Sequence, residues 1–90
     1  MFVEPKIIET LTEELIILCR QYDVIKLDEF DEDEIAELDM ADSGLVDSLG
    51  IVLIKELLLK KYKVDVPVEL FYAELRSLQA VADYLAYRMA

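Results

Sequence analysis

The sequence predicts a compact all-α domain, and three observations carry that prediction. Apolar residues make up 56% of the chain, too large a share for a segment that stays unfolded. Two prolines and two glycines are too few for the turns of an all-β fold. In several stretches the apolar residues recur at spacings of three and four, the period of a helix with one buried face. A chain of 90 residues closes one modest core, so residues 1–90 are read as a single domain.

The first helix is placed at about residues 5–22. Pro5 suits a first helical turn, and Ile8, Leu11, Leu15, Leu18 and Tyr22 line up as one apolar stripe. Glu9, Glu13 and Glu14 fall off that stripe. Residues 23–42 then hold ten of the twenty acids against the single base Lys26. Self-repulsion disfavours a long regular element there, so a long loop is expected, with one helical turn around Glu32 to Glu37. Val24, Ile25, Leu27, Phe30, Ile35, Leu38 and Met40 are interspersed, so the loop packs down on the core. Asp31 and Asp33 fit the first two positions of a calcium loop. Ile35 stands at the third ligand position and Ala36 where the turn needs glycine, which excludes that site.

The next helix is expected to start at Ser48, with its hydroxyl as the N-cap. Its residues divide into two apolar faces. Ile51, Ile54, Leu58 and Tyr62 suit the core, whereas Leu49, Val52 and Leu53 lie on another side with Glu56 and Lys60. A small bundle needs only one apolar face per helix, so the second is read as a docking surface; the alternative is a helix buried on several sides. Lys60, Lys61 and Lys63 close the helix with positive charge. Val64 to Pro67 reads as extended chain, a short helix covers part of Pro67 to Ala73, and Ser77 caps a last helix striped by Leu78, Val81, Leu85 and Met89.

Composition also excludes functions. A net charge of -11 repels nucleic acid and anionic membranes. The chain lacks histidine, the usual general base and commonest metal ligand, and the lone Cys19 allows no internal disulfide. An enzyme is therefore not expected. The N-terminus has no signal-peptide pattern and no apolar run reaches membrane-spanning length, so a cytoplasmic protein without membrane insertion is expected.

One motif remains: Gly44-Leu45-Val46-Asp47-Ser48-Leu49-Gly50, running into the apolar segment from Ile51 to Tyr62. It sets one hydroxyl at a helix mouth, where backbone N–H groups and the helix dipole favour a phosphodiester. As a bare tripeptide, Asp-Ser-Leu is weak, and a plain helix cap explains it as well. With the order of elements around it, and with the tail from Leu75 to Leu85, the chain resembles the acyl carrier protein superfamily over nearly its whole length.

That resemblance implies a small four-helix bundle with a long first loop and a short third helix. It implies 4′-phosphopantetheine, taken from coenzyme A, on Ser48. Asp47 would serve transferase recognition, and Leu45, Val46, Leu49, Val52 and Leu53 would form the partner-docking surface. The implied partners are a phosphopantetheinyl transferase, a ligase loading an acyl or aminoacyl group, and a downstream acyltransferase or synthase. The chain itself would act as a monomer.

Two departures matter. Leu45 and Val46 separate Gly44 from Asp47 where fatty-acid and peptidyl carriers usually have one residue, and Gly50 and Leu53 stand where fatty-acid carriers place acids. From Gly44 to Val68 the chain is similar to D-alanyl carriers and to stand-alone carriers of specialised pathways. The rival readings are a helical interaction module with no prosthetic group and, further off, a small carboxylate enzyme.

Overall fold

The computed structural model describes residues 4–25 and 32–89. Among them the chain forms α1 (Pro5–Gln21), a single turn α2 (Glu32–Ile35), α3 (Ser48–Tyr62), the short α4 (Val68–Ala73) and α5 (Leu78–Met89), with no strand. This is the expected all-α bundle.

In α1 the stripe holds at its centre: Leu11, Leu15, Leu18 and Cys19 are buried and Ile8 packs at the margin. Thr12 is buried too, and its hydroxyl donates to the Ile8 carbonyl at 2.7 Å, which satisfies it. Tyr22, expected on the stripe, is instead 53% exposed. The helix has ended by then: Asp23 takes a left-handed conformation (φ 54°), and the Val24 and Asp23 amides donate back to the Cys19 and Arg20 carbonyls. That is a Schellman closure, which turns the chain and leaves Tyr22 on the outer side. It also drives Val24 and Ile25 into the core.

Of the acidic stretch, Leu27, Phe30, Asp28, Glu29 and Asp31 lie outside the described residues. In the described part of the stretch, Ile35 and Met40 are fully buried and Leu38 is half-buried, so the connection packs down there as the sequence implies. Two backbone bonds tie it to the start of α5: the Met40 amide donates to the Arg76 carbonyl (2.7 Å) and the Gln79 amide to the Ala36 carbonyl (2.9 Å). The Arg76 guanidinium completes the clasp, donating through Nε to Asp39 and through Nη1 to the Tyr72 carbonyl, with Nη2 3.0 Å from Asp42. The Arg76 hydrogen bond holds the Asp39 carboxyl below the ordinary value of 3.8.

In α3, Ile51, Ile54, Leu57 and Leu58 face the core and Tyr62 is half-buried. Lys63, left-handed at φ 60°, ends the helix. The Ala80 amide donates to Ser77 Oγ at 3.1 Å, so Ser77 caps α5 as expected. Leu78, Val81 and Leu85 are buried, joined by Ala82 and Ala86. Met89, placed on that stripe by its spacing, is 45% exposed and lies off the core at the end of the helix. The most extensive packing between elements is that of α1 against α5.

Candidate functional site

The segment before α3 is held by its own side chains. The Asp42 amide donates to Asp39 Oδ1 (2.9 Å), Ser43 Oγ donates to the Asp39 carbonyl (2.5 Å), and the Leu45 amide donates to Ser43 Oγ (3.2 Å). Gly44 then adopts φ 78°, a left-handed turn where a side chain would be strained. The turn sends Leu45 and Val46 inward. Both were expected on the docking surface and both are core residues, completely or almost completely buried. The reason lies in the backbone: the left-handed Gly44 turns the chain inward, and the Val46 amide is fixed to the Met40 carbonyl at 3.0 Å.

The start of α3 also differs from expectation by one residue. Asp47, not Ser48, is the N-cap: its backbone is extended (φ -83°, ψ 178°), and its Oδ1 accepts from the Gly50 amide at 2.7 Å. Ser48 is the first helical residue, exposed, and its hydroxyl makes no hydrogen bond with a described residue. The first amides of a helix have no intrahelical acceptor, so this hydroxyl sits at the electropositive end of the helix. Such a position suits an attached phosphodiester, whose anionic oxygens would face these amides and water.

Gly50 explains how the first turn fits so closely. A Cβ there would lie 2.6 Å from Val46 Cγ1, 3.2 Å from Asp47 Oδ1 and 3.3 Å from Val24 Cγ1. Glycine therefore lets α3 settle onto the Schellman turn of α1. Beside Ser48 a cleft of about 220 Å3 opens, lined by Asp23, Val24, Asp47, Leu49, Gly50 and Leu53. Leu49 is 80% exposed and Val52 44%, while Leu53 is half-buried. The surviving members of the expected docking surface thus share one exposed side of α3 next to the serine.

The site has little chemistry of its own. No histidine exists in the chain to activate Ser48, and the neighbouring carboxylate is engaged through Oδ1 in the cap. Cys19 is buried, and burial pushes its thiol up to about 12, so it is not a nucleophile near neutral pH. Among the described residues, no side chain is placed to activate the Ser48 hydroxyl as a nucleophile. Sequence reasoning missed two contributors: the Arg76 clasp, for which a lone arginine in a connection gives no signal, and the packing role of Gly50.

A comparison with protein families places this arrangement. The family model of the phosphopantetheine attachment site matches residues 23–85, well over half of the chain. No curated protein and no solved structure was found to match.

Proposed function

Because the chain belongs to the phosphopantetheine attachment-site family, whose domains carry covalently attached 4′-phosphopantetheine, we propose that the group is joined to Ser48. The domain then acts as an acyl or aminoacyl carrier, presenting its cargo to partner enzymes in a specialised pathway. The single observation that carries this assignment is that Asp47 performs the capping, which leaves the Ser48 hydroxyl exposed and hydrogen-bonded to no described residue.

In the attachment step, Ser48 Oγ forms a bond to the pantetheine phosphate as the bond to the nucleotide half of coenzyme A breaks. The serine proton passes to a base of the transferase, since no described residue is hydrogen-bonded to the hydroxyl to take it. Asp47 contributes the carboxylate oxygen not used in the cap to transferase recognition. Once attached to Ser48, the group would supply a terminal thiol on a flexible arm, the chemistry by which an acyl or aminoacyl cargo from a ligase could be held. Tethering at Ser48 would keep that cargo at high effective concentration near each enzyme that docks. Leu49, Val52 and Leu53 give those enzymes an apolar footing beside the arm's anchor. Carrier domains of this family are generally non-catalytic, and the chemistry of transfer belongs to the transferase, the loading ligase and the downstream acyltransferase or synthase.

The test is intact mass after incubation with coenzyme A, magnesium and a broad-specificity phosphopantetheinyl transferase. A gain of one phosphopantetheine in the parent and none in Ser48→Ala is expected. A folded parent that gains nothing, or a Ser48→Ala variant that gains as much, overturns the assignment to Ser48. A protein that keeps its biological role as Ser48→Ala would be an interaction module.

A further inference from the structure

The outward face of α3 carries more than an apolar footing. Leu49, Val52, Glu56, Leu59 and Lys60 follow one another at helical spacing along a single side, and all five are exposed, as is Lys63, the C-cap residue just past the helix end. Leu59 is 45% exposed, which no core requirement explains. The apolar strip therefore continues well past the residues next to Ser48, at 1.5 Å per residue for about 15 Å from Leu49 to Leu59.

The charge on this face has the opposite sign to that of the whole chain. On the face and at its end Lys60 and Lys63 outnumber Glu56, in a protein of net charge -11; from Ser48 to Lys63 the chain holds four lysines and one acid. Two of the lysines are engaged: Lys55 Nζ lies 2.7 Å from Asp65 Oδ1, and Lys61 Nζ lies 3.5 Å from Glu14 Oε1. Lys60, on the exposed face, and Lys63, at its end, pair with no described residue. They sit where the helix dipole is already favourable for cations, yet an acidic chain had ample carboxylates to neutralise them. Unpaired cations at the end of an exposed apolar strip are a complement for something acidic.

We propose that α3 docks, by this face, into a protein whose site is an apolar groove ended by carboxylates about 20 Å from where Ser48 is received. The inference rests on the carrier reading only for which end of the groove faces the active site; the face and its polarity are independent of it. The partner class is thus one with an acidic docking patch, and a basic patch would meet Lys60 and Lys63 with like charge. An anionic membrane fits less well, because the net charge of the chain opposes it.

The experiment uses the full chain after transferase treatment, labelled with 15N, and two helical probe peptides. Both carry the same leucine stripe; one ends in a glutamate cluster and the other in a lysine cluster. The glutamate probe is expected to shift the amides of Leu49, Val52, Leu59, Lys60 and Lys63 and to bind about fivefold more tightly than the lysine probe. Replacing Lys60→Glu and Lys63→Glu together, at two exposed positions and with retention of the fold checked by the amide spectrum, should reverse that order. A preference of the parent for the lysine probe on these amides overturns the proposal, as does the absence of shifts with either probe at millimolar concentration. Concentration-dependent shifts of the same amides without a probe would assign the face to a second copy, and shifts with phosphatidylglycerol vesicles alone would assign it to lipid; both overturn it. Mass gain on the same sample reports on Ser48 separately, so failure of the docking face and failure of the carrier reading are told apart.

Discussion

Replacing Gly50 by alanine tests how closely α3 is seated. The new Cβ would stand 2.6 Å from Val46 Cγ1, where carbons in contact prefer about 3.5–4.0 Å, so that methyl must retreat by roughly 1 Å. Val46 is buried and its amide is bonded to Met40, which leaves it little room. Overpacking of this kind costs about 1–3 kcal/mol, whereas alanine in place of glycine gains about 1 kcal/mol of helix propensity. The cap carboxylate at 3.2 Å and Val24 at 3.3 Å crowd the same atom, which puts the overlap in the upper part of its range. A net loss of about 1–2 kcal/mol is expected. Urea unfolding followed by far-UV circular dichroism measures it. Val46→Ala should cost about 2 kcal/mol alone, and about 1 kcal/mol less when Gly50→Ala is already present, because it removes the crowded methyl. A Gly50→Ala variant at least as stable as the parent, or two effects that simply add, would refute this account of the packing. Gly44→Ala is the control: nothing lies within 4 Å, so its cost of about 1 kcal/mol comes from the left-handed backbone and is uncoupled from Val46.

The remaining predictions concern single groups. Asp47→Asn should keep the cap and stability while slowing modification by the transferase, whereas Asp47→Ala should lose about 1 kcal/mol as well; equal modification rates for Asn and parent would remove the recognition role. Cys19 should react with a disulfide reagent at pH 8 only as fast as the chain unfolds, and rapid labelling of the native protein would contradict its burial. Its thiol ionises at about 12 in the folded chain against 9.0 for an ordinary thiol, so stability should fall as pH rises above 9 and Cys19→Ala should flatten that fall. Asp39 shows the opposite sign. Its carboxyl is held below 3.8 chiefly by the Arg76 hydrogen bond, so its contribution is present above that pH and is lost as acid protonates the folded chain. An acid titration of the urea midpoint should be shallower for Asp39→Asn, and identical profiles would mean that the clasp is not felt.

The helices were legible because their signals are local. Pro5, the central stripe of α1, Ser77 and the lysines of α3 each act within one or two turns, and the elements follow them within a residue or so. That an exposed serine stands at the start of α3 was legible for the same reason. What the sequence could not separate was which of two adjacent good caps is used: Asp and Ser are near equivalent at that position, and the choice falls to which side chain reaches the Gly50 amide. Leu45 and Val46 were misplaced because hydrophobicity marks burial and docking alike, and only the left-handed Gly44 and the bond to Met40 decide between them. The Arg76 clasp joins residues thirty-seven positions apart, beyond any local pattern.

The packing of α1 against α5 has a consequence for how the molecule folds and opens. The first and last helices can meet only after almost the whole chain is available, so the core is closed by contacts of long sequence separation. The two helices should therefore behave as one cooperative unit whose amides exchange with solvent together and most slowly. The six-residue α4, which buries Phe71 alone, should open far more readily. The molecule would then combine a slow-exchanging pair at its chain ends with a fast-opening turn between α3 and α5, so that local breathing and global unfolding are separable events.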